Sequence, residues 1–169
     1  IMSHSAVLDS QPTESAIDIG VNRDDRKQLA YLLSECLANS YLLYLKTQSF
    51  HWNVVGPMFY GLHNLTEKQY QDLADAIDTM AERIRAIGFM APGSFAQFTQ
   101  MASIQEEVGT PNAHDMIAQL AEGNEICAKK LRIAALAADK VEDVKTADLL
   151  TERIGQHEEN VWMLKAMLA

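Results

Sequence analysis

Residues 57–88 read PMFYGLHNLTEKQYQDLADAIDTMAERIRAIG. Two stripes run along this segment. Leu62, Tyr70, Leu73, Ile77, Met80, Ile84 and Ile87 recur at the spacing of one apolar helix face. Beside them His63, Glu67, Gln71, Ala74, Asp78 and Glu82 follow steps of four, four, three, four and four, so they stack on one side of the same helix. Pro57 suits a first helical turn, where its missing N–H has no partner to lose, and predicts the start. Gly88 predicts the stop.

The same periodicity extends in both directions. On an upstream helix from about Asp24 to Phe50, Leu29, Leu33, Cys36, Ser40, Leu43 and Thr47 share a stripe. Residues 91–109 carry Pro92, Gly93 and Gly109 and read as irregular, with one short helix capped by Ser94. A third long helix is expected to open at Thr110-Pro111 and run to about Ala138, with Ile117, Leu120, Asn124, Cys127, Leu131 and Ala135 on its face. A fourth spans about Val144 to Leu168 through Leu150, Ile154, His157, Val161, Leu164 and Leu168. No strand-like alternation occurs. The fold class is therefore all-α: a four-helix bundle of ferritin-like topology, with a short extra helix in the long connection between helices two and three. The bundle takes residues 23–169, and residues 1–22 form a flexible acidic tail holding Asp9, Glu14 and Asp18 and no Lys or Arg.

Length and composition limit the partners. The chain has 169 residues, 48% hydrophobic, with a formal charge of −9. That suits one domain. No eighteen-residue apolar run is present, so no membrane span is expected. The N-terminus lacks the basic-then-apolar order of a secretory signal. Cys36 and Cys127 both fall on apolar stripes and read as buried thiols, which fits a reducing cytoplasm.

The polar stripe needs its own account. Asp78 and Glu82 are like charges one turn apart, which weakens a helix slightly unless water or a cation offsets the repulsion. A solvated face would look the same, and charged stripes are usually that. One metal cannot join the whole stripe within a chain, because nineteen residues separate His63 from Glu82, which is ~28 Å of helix. The pairs 63 with 82, 67 with 78 and 71 with 74 nevertheless share one midpoint, between Asp72 and Leu73. If two copies of this helix cross antiparallel there, His63 and Glu67 of one chain face Asp78 and Glu82 of the other, as a two-fold interface requires. Two identical sites result, and His51 could add a second imidazole to each. Such oxygen-rich sites suit Fe(II), Mn(II) or Zn(II). The chain contains no Glu-x-x-His, so an intrachain di-iron centre is disfavoured.

Residues 51–88 also resemble the Dps family of mini-ferritins. The matching elements are His51-Trp52-Asn53, Gly56, Phe59, Leu62-His63, Asp78 and Ala81-Glu82-Arg83, joined by Arg153-Ile154, His157-Glu158 and Trp162-Met163-Leu164 near the end. The resemblance covers roughly residues 24–168. It implies a homo-dodecameric shell in the cytoplasm that oxidises Fe(II) with hydrogen peroxide or oxygen at ferroxidase centres shared across a two-fold interface. Ferric mineral is then stored inside, protecting the cell from oxidative damage. Carried onto this chain, the iron ligands are His51, His63 and Glu67 from one subunit and Asp78 and Glu82 from its partner. Glu67 stands where the family usually has Asp, which affects the second metal position and keeps zinc occupancy open. The resemblance also makes Asp139, Glu142, Asp143 and Asp148 candidates for a cation-attracting pore, against a plain solvated turn. The family's other activity, compaction of DNA, commonly depends on a basic terminus. The acidic tail and the net charge argue against it here, and DNA binding is not expected.

Overall fold

The computed structural model describes residues 14–169; the remainder of the expected tail, residues 1–13, lies outside the described residues. The described residues form five helices: α1 (Arg23–Asn53), α2 (Phe59–Ala86), α3 (Phe95–Met101), α4 (Ala113–Lys140) and α5 (Val144–Ala166). Among these residues there is no strand. Helix α1 packs against α2, α3 and α4, while α5 lies along α4 and meets α2. The predicted stripes become the core: Leu29, Leu33, Leu62, Leu73, Met80, Ile84, Ile117, Leu120, Leu150 and Leu164 are all almost fully buried. No helix among the described residues is long and apolar enough to cross a membrane.

Two helix starts differ from expectation. Pro57 does not open α2. It occupies the second position of a tight turn closed by Phe59 N–H donating to the Gly56 carbonyl (3.0 Å), with Gly56 at φ 96°. Helix α2 then starts at Phe59 without a side-chain cap. Likewise Thr110-Pro111 precedes α4, whose cap is Asn112; its side-chain oxygen accepts from Asp115 N–H at 2.9 Å. In both places the proline precedes the helix rather than forming its first residue. Ser94 caps α3 as expected, accepting from Gln97 N–H.

Residues 14–22, assigned to the tail by composition, lie against the bundle end. Ser15 N–H donates to the Gly88 carbonyl at 3.1 Å. The buried Arg26 guanidinium donates to the carbonyls of Val21, Ile87 and Ile17. A Cβ at Gly88 would sit 2.7 Å from that guanidinium, and φ there is 105°, so glycine is required on both counts.

Candidate metal centre

His51 occupies the last turn of α1 and His63 the first turns of α2, so the short Val54–Met58 connection folds one onto the other. Their rings stack, with centroids 3.8 Å apart and planes 14° from parallel. The pairing is reciprocal. His51 Nδ1 lies 2.7 Å from the His63 carbonyl, and His63 Nδ1 lies 2.8 Å from the His51 carbonyl. A carbonyl only accepts, so each Nδ1 must carry the proton. In the neutral ring this leaves Nε2 as the free lone pair on both imidazoles, the tautomer a metal ligand needs. Phe59 stacks on His63 at 5.0 Å, and Tyr70 meets His51 edge-on at 5.1 Å. Thr66 Oγ1 donates to the Leu62 carbonyl at 2.7 Å and lies 3.4 Å from His51 Nδ1, which walls the pair from the core side.

The structure therefore brings two of the five candidate ligands together. Glu67 follows one turn after His63 on the same stripe and is half-buried. Asp78 and Glu82 are exposed further along α2, ~22 and ~28 Å from His63 at the helical rise. Among the described residues no group of three or more His, Cys, Asp and Glu side chains could hold a metal within one chain. The surroundings of the histidine pair are unusually apolar for a surface. Trp52 is 60% exposed, Val55 79% and Tyr60 78%. Large exposed apolar side chains within nine residues of chain are the kind of surface that binding to another molecule would bury.

The acidic turn between α4 and α5 resolves into two kinds of residue. Asp139, Glu142 and Asp148 are exposed. Asp143 is only 4% exposed and is consumed by structure. It caps α5, accepting from Thr146 N–H (3.0 Å) and Thr146 Oγ1 (2.6 Å), and it pairs with Arg83 Nη2 at 2.9 Å. Asp143 is thus withdrawn from any pore lining.

His157 and Asn124, which the sequence places on the inward faces of α5 and α4, meet in a buried polar layer inside the bundle. His157 Nδ1 lies 2.8 Å from Asn124 Oδ1, which also accepts from Asn160 Nδ2 at 3.1 Å. Burial, assisted by the Arg153 charge, pushes the His157 pKa down to about 3, so the ring is neutral. Burial likewise raises both thiols, Cys127 to about 12 and Cys36 beyond it. Neither cysteine is disulfide-bonded.

Comparison with known proteins agrees with the architecture. A ferritin-like domain model matches residues 30–169. The chain is 40% identical over 154 residues to an uncharacterized low temperature-induced protein of Nostoc sp., covering 90% of this chain and 86% of that one. It is 37% identical over 140 residues to the DNA protection during starvation protein of Brevibacillus brevis, covering 83% and 94%. Among solved structures, the DPS protein of Vibrio cholerae O1, described as a member of a broad superfamily of ferritin-like diiron-carboxylate proteins, superposes with a TM-score of 0.84. That match has 30% identity and covers 91% of this chain and 100% of the other.

Proposed function

Because this chain belongs to the ferritin-like proteins, and within them to the Dps family, we propose that it takes up Fe(II), oxidises it at centres shared between two subunits, and stores the ferric product in a dodecameric shell. Iron storage with protection from oxidative damage is the family's general role. The shared centre is the finer reading, and the reciprocal His51–His63 pair carries it: two stacked imidazoles with both Nδ1 atoms engaged and both Nε2 lone pairs left over, on a chain whose described residues gather no complete metal site of their own.

In this reading His51, His63 and Glu67 meet the partner's Asp78 and the partner's Glu82 across a two-fold axis. An antiparallel crossing of two copies of α2 at the stripe's midpoint would supply the carboxylates that each chain lacks near its histidines. Carboxylate oxygens stabilise Fe(III) over Fe(II), so the same ligands that capture the substrate favour its loss of an electron. Two Fe(II) ions give two electrons to one hydrogen peroxide, which takes up two protons and leaves as two waters. Release of hydroxyl radical is thereby avoided. Glu67, one methylene longer than the usual Asp, sets the position of the second iron. Burial of Trp52, Val55 and Tyr60 against the partner would exclude bulk water from the centre. The exposed Asp139, Glu142 and Asp148 support a cation-attracting entry path. The buried, unpaired thiols support a reducing cytoplasm as its setting.

Stopped-flow oxidation of Fe(II) by peroxide tests this function. The His63→Ala, Asp78→Ala double variant is expected to lose the fast initial phase while still assembling. An unchanged initial rate refutes the ligand assignment. Zinc added before iron is expected to compete for the same centre and slow that phase.

A further inference from the structure

Thr66 is fully buried on the core face of α2, three residues after His63. Its side-chain oxygen stands among three polar atoms. The Leu62 carbonyl lies at 2.7 Å, the His63 carbonyl at 3.1 Å and His51 Nδ1 at 3.4 Å. Only the two carbonyls can accept the single hydroxyl proton. It goes to the nearer one, Leu62, one turn back along the helix. His51 Nδ1 carries its own proton, which points to the His63 carbonyl at 2.7 Å. That N–H therefore has a second acceptor, the lone pair of Thr66 Oγ1, as the long limb of a three-centre bond.

Burying a hydroxyl in this bundle needs no such second contact. Ser34 and Thr47 on α1 are as deeply buried, and each is satisfied by donating one turn back, at 2.7 and 2.6 Å. Thr66 satisfies itself in the same way and still turns its oxygen toward the ring. As a packing position it would suit an apolar residue, because Leu62 and Leu73 on the same face of α2 are both buried. The two imidazoles are unequal in this respect. His63 Nδ1 meets the His51 carbonyl at 2.8 Å, and its ring is stacked by Phe59, which offers no acceptor. His51 is only 6% exposed, so the hydroxyl is an acceptor in a place that bulk water does not reach.

We propose that Thr66 is a positioning residue for His51: its oxygen holds the Nδ1–H of the ring, and so keeps Nε2 as the free lone pair and fixes where that lone pair points. The inference rests on the ferroxidase reading above, in which Fe(II) is the substrate that His51 captures. An acceptor on the far nitrogen of a ligating imidazole fixes its tautomer and orientation and raises the basicity of the ligating nitrogen, and loss of such a partner lowers metal affinity about 10–100-fold. The His63 carbonyl remains whatever stands at position 66, so the lower end of that range, about tenfold, applies here. Thr66 touches the ring and not the iron. Its effect therefore falls on capture: the Fe(II) concentration that gives half the maximal initial rate rises, and the rate at saturation stays.

The test is a titration of the assembled, iron-free protein with Co(II), followed by visible absorption. Thr66→Val keeps the branched shape and removes only the hydroxyl, whereas Thr66→Ser keeps the hydroxyl. Thr66→Val is expected to bind Co(II) about tenfold more weakly than wild type, and Thr66→Ser is expected to recover most of that loss. Thr66→Ala, a second variant without the hydroxyl, should match Thr66→Val. Initial rates of Fe(II) oxidation should repeat the pattern in the half-saturating concentration and not in the maximal rate. Co(II) bound as tightly by Thr66→Val as by wild type overturns the proposal. Equal weakening in Thr66→Val and Thr66→Ser overturns it too, since packing and not the hydroxyl would then be at work. His51→Ala binding Co(II) as wild type does would instead overturn the ligand assignment itself, and with it the premise on which Thr66 acts.

Discussion

Asp143 offers the sharpest separation of a structural from a functional carboxylate. Its side chain closes a network of four hydrogen bonds: Thr146 N–H and Oγ1 donate to it, Arg83 Nη2 donates to it, and Arg83 Nε donates to Thr146 Oγ1 at 2.8 Å. Replacing it with alanine removes the α5 cap, which costs about 1 kcal/mol. It also leaves the Arg83 guanidinium, whose side chain is 16% exposed, without its anion. Breaking a buried pair costs about 3–5 kcal/mol, and the residual exposure of Arg83 places this one near the lower end. A total of about 3–4 kcal/mol corresponds to a fall in melting temperature of roughly 6–16 °C for a chain of this size. Asp143→Asn keeps the capping oxygen and loses only the charge, so it should fall between wild type and Asp143→Ala. Thermal unfolding by circular dichroism at one fixed protein concentration reads all three, since assembly makes the midpoint concentration-dependent. Iron uptake by the surviving shells should be normal. A melting temperature for Asp143→Ala within a degree or two of wild type, combined with slowed uptake, would refute the reasoning and return Asp143 to the pore.

Two further outcomes follow from the buried layer and from the charge. Unfolded His157 takes up a proton as pH falls through its ordinary value near 6.5, whereas the folded residue resists until about 3. Its contribution to stability is therefore complete above pH 6.5 and is lost across that window at about 1.4 kcal/mol per pH unit. The difference in stability between wild type and His157→Gln should shrink with that slope between pH 6 and 4; parallel profiles would show that His157 is not the neutral buried group described. The formal charge of −9 per chain predicts no mobility shift of duplex DNA at moderate salt. A clear shift in the absence of bridging divalent ions would contradict it.

Much of this was legible along the chain, because helical stripes are local. The core faces of α1, α2, α4 and α5 follow from spacing, and so does the mirror symmetry of the polar stripe. What spacing could not carry was anything decided by the approach of two elements. The stacking of His51 on His63 depends on how tightly the Gly56-Pro57 turn reverses the chain. Pro57 was open to two uses, and the positive φ at Gly56 selects the turn. Asn112 rather than Thr110 caps α4; both residue types can serve, and only the backbone path chooses. Asp143 belongs to a run of similar acids, and its burial is set by Arg83, sixty residues away.

The account stands on ligands drawn from two chains, and complementation between variants tests that most directly. His63→Ala and Glu82→Ala shells, prepared separately, should each lose rapid iron oxidation. When the two chains are co-assembled at random, a site is intact if one subunit keeps His63 and its partner keeps Glu82, so about a quarter of wild-type activity should return at a two-fold interface. Mixed shells no more active than either parent would contradict a centre built between neighbours.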